Sequence, residues 1–557
     1  MANKYWVSGG TGNWSSPTNW SNTSGGARGA VIPGATDVAY FNASSGTGVT
    51  NLTSTITIGG LDCTGFSGTI AVTGAIQLTV RGNAVLSATA TYSGTGTFAV
   101  YAFGTSATLT TNNAAIRNTL VKVFGTSVSD TVTIIGNLNC TNTFQANTCT
   151  LNINGSVITC AYFKSIGNAT FAFGSSGTSA IVIPTGGILN ATVVDFSTGG
   201  GYTSTYSGAQ RPVIRLTYTG ADATRKVLDQ TGIFDYVWSG ADLNNPLTLS
   251  CRNLDLSNFT GSILMSTAMS ISGSLTFNAA TKWTSSSFAL TFNGTSTQNI
   301  DTKGKALLCP VTFSGTGGTY VITNTMSMGA GTNATTLTSG TLNLNGKTLT
   351  VVNFSSNNSN ARGITFASGK IVATGTTAPW GVITGTNLTI TGPGSIELTG
   401  VPASSQTRVF DGGSVVYNGV TLIFAGATAG VQNLIRGSNS FYSIRNTISP
   451  QTFLFVPTTT TIFTDNFELN GTAGNNIIIT SQGTPSGQAN APNFAKPSGT
   501  VVCRYATISQ NNAAYIGGAL SGYTSKWNIG TGSTLASTTT GWGKLAGTAG
   551  FITFFYP

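Results

Sequence analysis

Five residues between positions 229 and 242 have side chains that could act on a sugar, because three are aspartates and two are aromatic residues that can stack on sugar rings. They are Asp229, Asp235, Tyr236, Trp238 and Asp242. Glycoside hydrolysis uses two carboxyl groups about 5–9.5 Å apart that flank the sugar. Aspartates in loops more often cap turns than act as catalysts. We therefore treat the five residues as a candidate glycan contact and predict no catalytic residues.

The chain contains few of the residues that other kinds of catalysis require. The chain contains no histidine, which excludes a Ser-His-Asp arrangement and removes the commonest general base and metal ligand. The only two glutamates, Glu397 and Glu468, stand alone in the sequence. The Gly-x-Gly strings lack the lysine of a phosphate-binding loop, and no carboxylates have the spacing of a calcium loop. We predict that the protein is not an enzyme and has no cofactor and no bound metal.

Charge and cysteine content narrow the class of protein further. The formal net charge is +10, from 24 basic and 14 acidic residues, and the basic residues are scattered along the chain. Nucleic-acid binding favours basic clusters interleaved with aromatic residues, so we predict no nucleic-acid partner and interpret the charges as solubilising.

The chain contains seven cysteines, an odd number, and most of them lie in strand-like runs without a CxxC pair. We expect buried free thiols rather than a disulfide framework.

The elements that must position these residues are predicted to be β-strands. Of the 557 residues, 40% are hydrophobic and only 7% are charged, whereas disordered chains show the opposite balance. Short alternating runs recur between Gly, Asn, Ser and Thr residues, as in "TITIGGLDC", "TVTIIGNLNC" and "GTLNLNGKTLTV". No helical periodicity extends beyond two turns. The composition and pattern therefore indicate an all-β protein.

The intervals between these runs favour one all-β architecture, a right-handed parallel β-helix or β-solenoid in the form of a rod with aromatic-rich caps. In a solenoid each strand pairs with its equivalents in the turns above and below, so Leu342 and Leu344 would stack into a core. A turn of roughly 20–25 residues gives on the order of 20 turns. A string of small β-sandwiches is the alternative, because Asn-Gly pairs such as Asn345-Gly346 are hairpin signals.

The pattern divides the chain into five segments. Residues 1–45 are rich in aromatic and turn residues and are predicted to form an N-terminal cap or attachment segment, since an open solenoid end invites further strand pairing. Residues 46–199 and 261–500 are predicted as solenoid. Residues 200–260 are predicted as an irregular turn or insertion. Residues 501–557 are predicted as the last turn and an aromatic tail.

The two ends contain more aromatic residues than capping requires. Exposed aromatic clusters usually mark contacts with other molecules. We therefore predict attachment or subunit contacts at Tyr5, Trp6, Trp14 and Trp20 and at Trp542, Phe551, Phe554, Phe555 and Tyr556.

Four segments carry a family resemblance. Two lie within residues 5–43, "YWVSGGTGNWSSPTNWSNTSGGA" and "VIPGATDVAYFNA", and two lie within residues 430–542, "GSNSFYSIRNT" and "SGTVVCRYATISQNNAAYIGGA". They resemble large β-rich virion proteins encoded by bacteriophages, especially marine ones. Between the two regions only the solenoid-like texture is similar. The sequence departs from that family by adding "GKLAGTAGFITFFYP" after Gly541-Trp542, where the resemblance leads us to expect the chain to stop soon.

This resemblance implies a non-enzymatic structural protein of a phage particle, such as a tail or head fibre or spike that contacts the host surface. It also implies a homotrimer, with other virion proteins and host cell-surface glycan as partners.

The N-terminus shows no secretory signal peptide, and no apolar run approaches the roughly 20 residues of a membrane span. We expect assembly in the host cytoplasm, location in the virion and no membrane insertion. A bacterial surface adhesin and a glycan-cleaving tailspike are the alternatives.

Overall fold

The chain is all-β, with about 2% of its residues in helices. Its computed structural model divides into two compact units, an N-terminal unit of Met1–Ser270 with Ala280–Lys282 and a C-terminal unit of Ile271–Ala279 with Trp283–Pro557. Between residues 167 and 245 it describes only the backbone of the strands. Elsewhere it describes residues 2–166 and 246–544, except 128, 154–155, 266, 285–286, 329–333, 404–405, 427–429, 514–521, 524 and 537.

The turns of the N-terminal unit are built from strands of three sheets, and equivalent strands of successive turns pair in parallel. The first sheet contains Asn3–Trp6, Val38–Tyr40, Gly60–Asp62, Ala84–Val85, Ser106–Thr110, Thr131–Ile135, Thr150–Asn152, Thr170–Phe173 and Thr203–Tyr206, with Trp20–Ser21 antiparallel at its edge. The second sheet contains Gly12–Asn13, Val49–Leu52, Thr69–Val72, the starts of Thr91–Ala102 and Ala115–Gly125, Leu138–Cys140, Val157–Thr159, Ala180–Ile183, Val213–Leu216, Asp235–Gly240 and Leu254–Phe259. The third sheet contains Ile56–Ile58, Gln77–Val80, the ends of Thr91–Ala102 and Ala115–Gly125, Thr143–Asn147, Tyr162–Ile166, Thr192–Thr198, Lys226–Asp229, Pro246–Cys251 and Ser262–Met265.

The C-terminal unit repeats this arrangement with three sheets that we call I, II and III. Sheet I contains Leu275–Phe277, Thr297–Asp301, Thr319–Ile322, Gly340–Asn343, Arg362–Thr365, the starts of Leu388–Leu398, Val416–Phe424 and Ser440–Asn446, then Thr460–Phe463, Asn493–Ala495, Asn511–Ala513 and Thr539–Thr540. Sheet II contains Met326–Met328, Thr348–Val351, Lys370–Ala373, the ends of Leu388–Leu398, Val416–Phe424 and Ser440–Asn446, then Phe467–Glu468. Sheet III contains Leu290–Phe292, Val311–Phe313, Ala334–Leu337, Asn353–Ser355, Trp380–Gly381, Thr407–Asp411, Val431–Arg436, Gln451–Phe455, Ile477–Ser481, Ala506–Ile508 and Thr534–Leu535.

A few elements lie outside these sheets. Thr500–Cys503, Lys526–Ile529 and Trp542–Lys544 form a separate three-stranded parallel sheet. Met269–Ile271 and Lys282–Trp283 are two further short strands, and the 3-10 helices are Pro17–Asn19, Ala43–Ser45 and Gln488–Asn490. Within the described ranges no helix has the length and apolar character that crossing a membrane requires.

Both units are β-solenoids, with about 17 turns in all, which confirms the predicted fold class. The predicted alternative, a string of sandwiches, is wrong because strands pair in parallel with the turns on either side. Asn345 and Gly346 have positive φ angles of 49° and 72°. They turn the chain from Gly340–Asn343 in sheet I to Thr348–Val351 in sheet II, and these two strands pair with different partners. This Asn-Gly pair is therefore a corner rather than a hairpin.

The leucines of this segment face the core, as the alternating pattern predicts. Leu342 and Leu344 have no exposed surface, and Leu342 lies between Tyr320 of the previous turn and Ile364 of the next. Burying a side chain of this size contributes about 1.5–3 kcal/mol. The stack of such residues is the main source of stability in each unit.

An aromatic cap covers the first turn, as predicted. Trp6, Trp14 and Trp20 are 1%, 0% and 0% exposed. The ring centroids of Trp14 and Trp20 are 4.8 Å apart, and Nε1 of Trp20 donates a hydrogen bond to the Trp14 carbonyl at 2.8 Å. Phe41 of the first turn lies beneath them, 5.6 Å from Trp14. These indoles have no surface to offer a partner, which corrects the expectation that they are contact residues. They are buried because the open edge of the stack needs an apolar cover.

All seven cysteines are free and buried, which confirms the prediction from their sequence context. Burial disfavours the charged thiolate, so it raises the pKa of Cys63 and that of Cys149 to about 12. These thiols therefore stay protonated and unreactive at neutral pH.

One expectation about charge is wrong at Arg408, which is 1% exposed rather than a solubilising surface residue. Its Nε donates to Oδ1 of Asn433 at 2.8 Å, and its Nη1 donates to three main-chain carbonyls at a corner. Burial lowers the pKa of the guanidinium to about 10. The side chain thus donates to buried carbonyls at this corner, one of which, that of Leu398, also accepts from the Ala425 main-chain N–H.

The conclusion that Leu344 faces the core can be tested with the substitution Leu344→Asp. An unpaired carboxylate in the apolar stack should lower the free energy of unfolding by about 4 kcal/mol or more. Asn343→Asp is the matched control, because Asn343 faces outward and its Oδ1 already accepts a hydrogen bond from the Asn345 main-chain N–H. Chemical denaturation of both variants measures the difference. Equal stability of Leu344→Asp and the parent would contradict the inward assignment.

Candidate functional site

The predicted glycan residues lie on two different sheets of the N-terminal unit. Asp229 ends a strand of the third sheet and pairs with Leu249, whereas Asp235, Tyr236 and Trp238 lie on a strand of the second sheet. The side chains of these residues, and all of Asp242, lie outside the described residues. Their role in glycan contact stays a prediction.

Two of the predicted terminal contact residues are half-buried. Tyr5 stacks on Tyr40, with ring centroids 4.9 Å apart. Trp542 packs against buried Trp527 at 5.2 Å, and its Nε1 donates to Oδ1 of Asn511 at 2.8 Å. Phe551, Phe554, Phe555 and Tyr556 lie outside the described residues. A contact role for these six residues remains a prediction.

A groove on the outward surface of sheet II brings together functional groups that are far apart in the sequence. Its volume is about 680 Å³, and its lining runs from Gly346 to Glu468. We call this feature the groove. It lies entirely within the C-terminal unit.

The floor of the groove consists of outward side chains that line up across successive turns. The first row contains Thr348, Lys370, Ser395, Thr421 and Ser443. The second row, two residues further along each strand, contains Thr350, Val372, Glu397, Ile423, Arg445 and Glu468, of which Ile423, Arg445 and Glu468 line the groove. The residues between the rows point inward and are buried, because successive side chains of a strand face opposite sides. Neighbours in a row are about 4.8 Å apart at their backbones.

One wall of the groove is the corner between sheets I and II, where two lining residues are glycines that allow neighbouring turns to pack closely. A Cβ on Gly369 would lie 2.6 Å from the carbonyl oxygen of Lys347, and a Cβ on Gly394 would collide with the side chain of Phe366. No larger residue fits at either position without a shift of the neighbouring turn.

The charged groups that line the groove balance each other. Lys370 and Arg445 are basic and Asp465 and Glu468 are acidic, so the lining has no formal net charge although the whole chain carries +10. Lys370 Nζ lies 3.1 Å from Oε2 of Glu397, one turn further along, in an exposed ion pair. Such a pair contributes at most about 1 kcal/mol.

Arg445 and Glu468 occupy equivalent positions in adjacent turns. In the part of the chain that the structure describes, neither side chain forms an ion pair or a side-chain hydrogen bond. Both side chains are exposed. Their donors and acceptors are therefore available to a ligand.

Asp465 organises the end of the groove. Its Oδ2 accepts a hydrogen bond from Nδ2 of Asn466 at 2.7 Å and from Oγ of Ser443 at 3.4 Å, and its carbonyl oxygen accepts from Nζ of Lys496. A hydrogen bond to the Asp465 carboxylate and the charge of that carboxylate raise the pKa of Tyr442, whose side chain is 44% exposed. The phenol therefore stays neutral at neutral pH, and Tyr442 lines the groove with an exposed side chain.

The sequence reasoning missed this site because it treated Glu397 and Glu468 as isolated residues. The structure places them in one row, three turns apart. The signal was available in four similar strand ends, "SIELTG", "TLIFAG", "YSIRNT" and "NFELNG". Their alignment puts Glu397, Ile423, Arg445 and Glu468 at one position.

The groove can bind a ligand through hydrogen bonds and stacking. Six hydroxyl groups line it, those of Thr348, Ser368, Ser395, Thr421, Tyr442 and Ser443. Among the residues with described side chains, no group of three metal-ligating residues comes together. Comparisons with protein-family models, curated proteins and solved structures find no match to this chain.

The influence of Asp465 on Tyr442 gives a prediction about pH. Asp465→Asn should lower the pKa of Tyr442 towards the ordinary tyrosine value of about 10, because the negative charge that opposes phenolate formation is removed. The difference in ultraviolet absorbance between each protein and its Tyr442→Phe derivative isolates this titration. Asp411→Asn, on sheet III, is the control and should leave the pKa unchanged. Identical titrations in parent and Asp465→Asn would contradict the contact.

Proposed function

We propose that this protein is a non-enzymatic structural component of a phage particle, a tail or head fibre or spike that contacts the host surface. It assembles as a homotrimer in the host cytoplasm and joins other virion proteins. The sequence resemblance of residues 5–43 and 430–542 to phage virion proteins is the basis for the particle assignment.

The observation that most supports a structural role is the stacking of turns within each unit. Successive strands pair with the turns on both sides, and wherever side chains are described the inward ones form an apolar core. Stability in such repeats is shared between neighbouring turns. A particle protein outside a cell needs this resistance to local opening, since proteases act on opened segments.

The buried free thiols support assembly in the host cytoplasm. Disulfides are rare in that reducing compartment, and all seven cysteines are free. The fold gains its stability from stacked turns and does not require cross-links.

Mass spectrometry of purified phage particles tests this proposal. After banding and a high-salt wash, peptides of this chain should remain with the particles, in a copy number that is a multiple of three. A non-structural phage protein from the same lysate controls for carry-over. Recovery of the chain only in the host envelope fraction, or only as free protein, would overturn the assignment to the particle.

A further inference from the structure

The spacing of equivalent side chains along the groove floor indicates which kind of polymer could lie along it. Equivalent side chains recur at each turn, about 4.8 Å apart. A pyranose unit in a polysaccharide advances by roughly one such interval, so successive sugars can lie over successive turns. An extended peptide repeats its side-chain direction about every 6.6 Å and falls out of phase with the turns.

The charged side chains that line the groove narrow the class of polymer that could bind there. Two basic and two acidic side chains line it, so a polyanion would meet Asp465 and Glu468 and a polycation would meet Lys370 and Arg445. Like charges brought together in a groove weaken binding. A neutral polyhydroxyl chain can donate to the carboxylates and accept from the cations, so it satisfies both sets of groups.

Two features provide specific contacts for a sugar. The Tyr442 ring is 44% exposed, and no described aromatic residue stacks on it. An accessible ring beside polar groups suits the apolar C–H face of a pyranose. Arg445 and Glu468, in adjacent turns, offer a fork of donors and a pair of acceptors to neighbouring hydroxyl groups.

From these observations we infer that the groove is a binding site for a neutral polysaccharide of the host surface. The chain lies across the turns, with one sugar stacked on Tyr442 and the hydroxyl groups of the next bound by Arg445 and Glu468. This inference deepens the host contact of the proposed function and rests on it for the source of the glycan. It assigns the contact to the C-terminal unit rather than to residues 229–242.

The test is binding of the purified full chain to an array of neutral oligosaccharides, printed together with uronic-acid and sialic-acid counterparts. We expect binding to a subset of the neutral glycans. Calorimetry with the best-bound oligosaccharide then compares Tyr442→Ala and Arg445→Gln with the parent. Each should bind at least about tenfold more weakly, as expected for residues at the centre of a contact.

Conservative and matched variants keep the result interpretable. Tyr442→Phe retains the ring and should keep most of the affinity. Phe288→Ala removes an aromatic side chain of similar exposure, 42%, outside the groove, and Arg436→Gln removes an exposed arginine of sheet III. Both should bind like the parent. The variants of Tyr442, Arg445 and Arg436 should keep the melting temperature of the parent, because each replaces an exposed side chain.

Three results would overturn the inference. They are binding to none of the neutral glycans, preference for the acidic counterparts, and unchanged affinity in both Tyr442→Ala and Arg445→Gln. The particle experiment is independent of these results. Presence in particles without glycan binding would overturn only the groove assignment, and glycan binding by a chain that is absent from particles would overturn only the virion assignment.

Discussion

The parallel pairing of each strand with the turns before and after it is the interaction on which the rest of the structure depends. A strand of the stacked turns pairs with its counterparts in the neighbouring turns rather than in a hairpin, so its backbone groups are satisfied only if those turns hold the same register. That register brings inward residues such as Leu342 and Ile364 into one stack. It also confines variation in length to the corners, where Asn345 and Gly346 adopt positive φ.

The same register produces the candidate site. Because side chains alternate along a strand, a core of stacked apolar residues requires rows of outward residues between them. Selection can change these rows without disturbing the core, since an outward substitution leaves the inward neighbours in place. In sheet II the rows combine hydroxyl groups with balanced charges. The ligand surface is thus a consequence of the stack and needs no inserted domain.

The sequence predicted what depends on local pattern. Alternation predicted the strands, their inward leucines and the buried thiols, and aromatic content predicted the N-terminal cap. It did not predict register, because turn length is not constant; it is 19 residues between Thr335 and Phe354 but 33 between Ile462 and Ala495. Without register, Glu397 and Glu468 could not be placed in one row. Local pattern also could not decide whether the indoles of the cap face inward or outward.

Distances between spin labels in the C-terminal unit test the in-register stack most directly. Labels replace Thr350 and either Arg445 or Glu468, which lie in one row four and five turns apart. The buried native thiols do not compete for the label, and dilution with unlabelled chain removes distances between molecules. We expect backbone separations of about 19 and 24 Å, a difference of one turn spacing. Distances that do not differ by one spacing would contradict the stack and, with it, the groove.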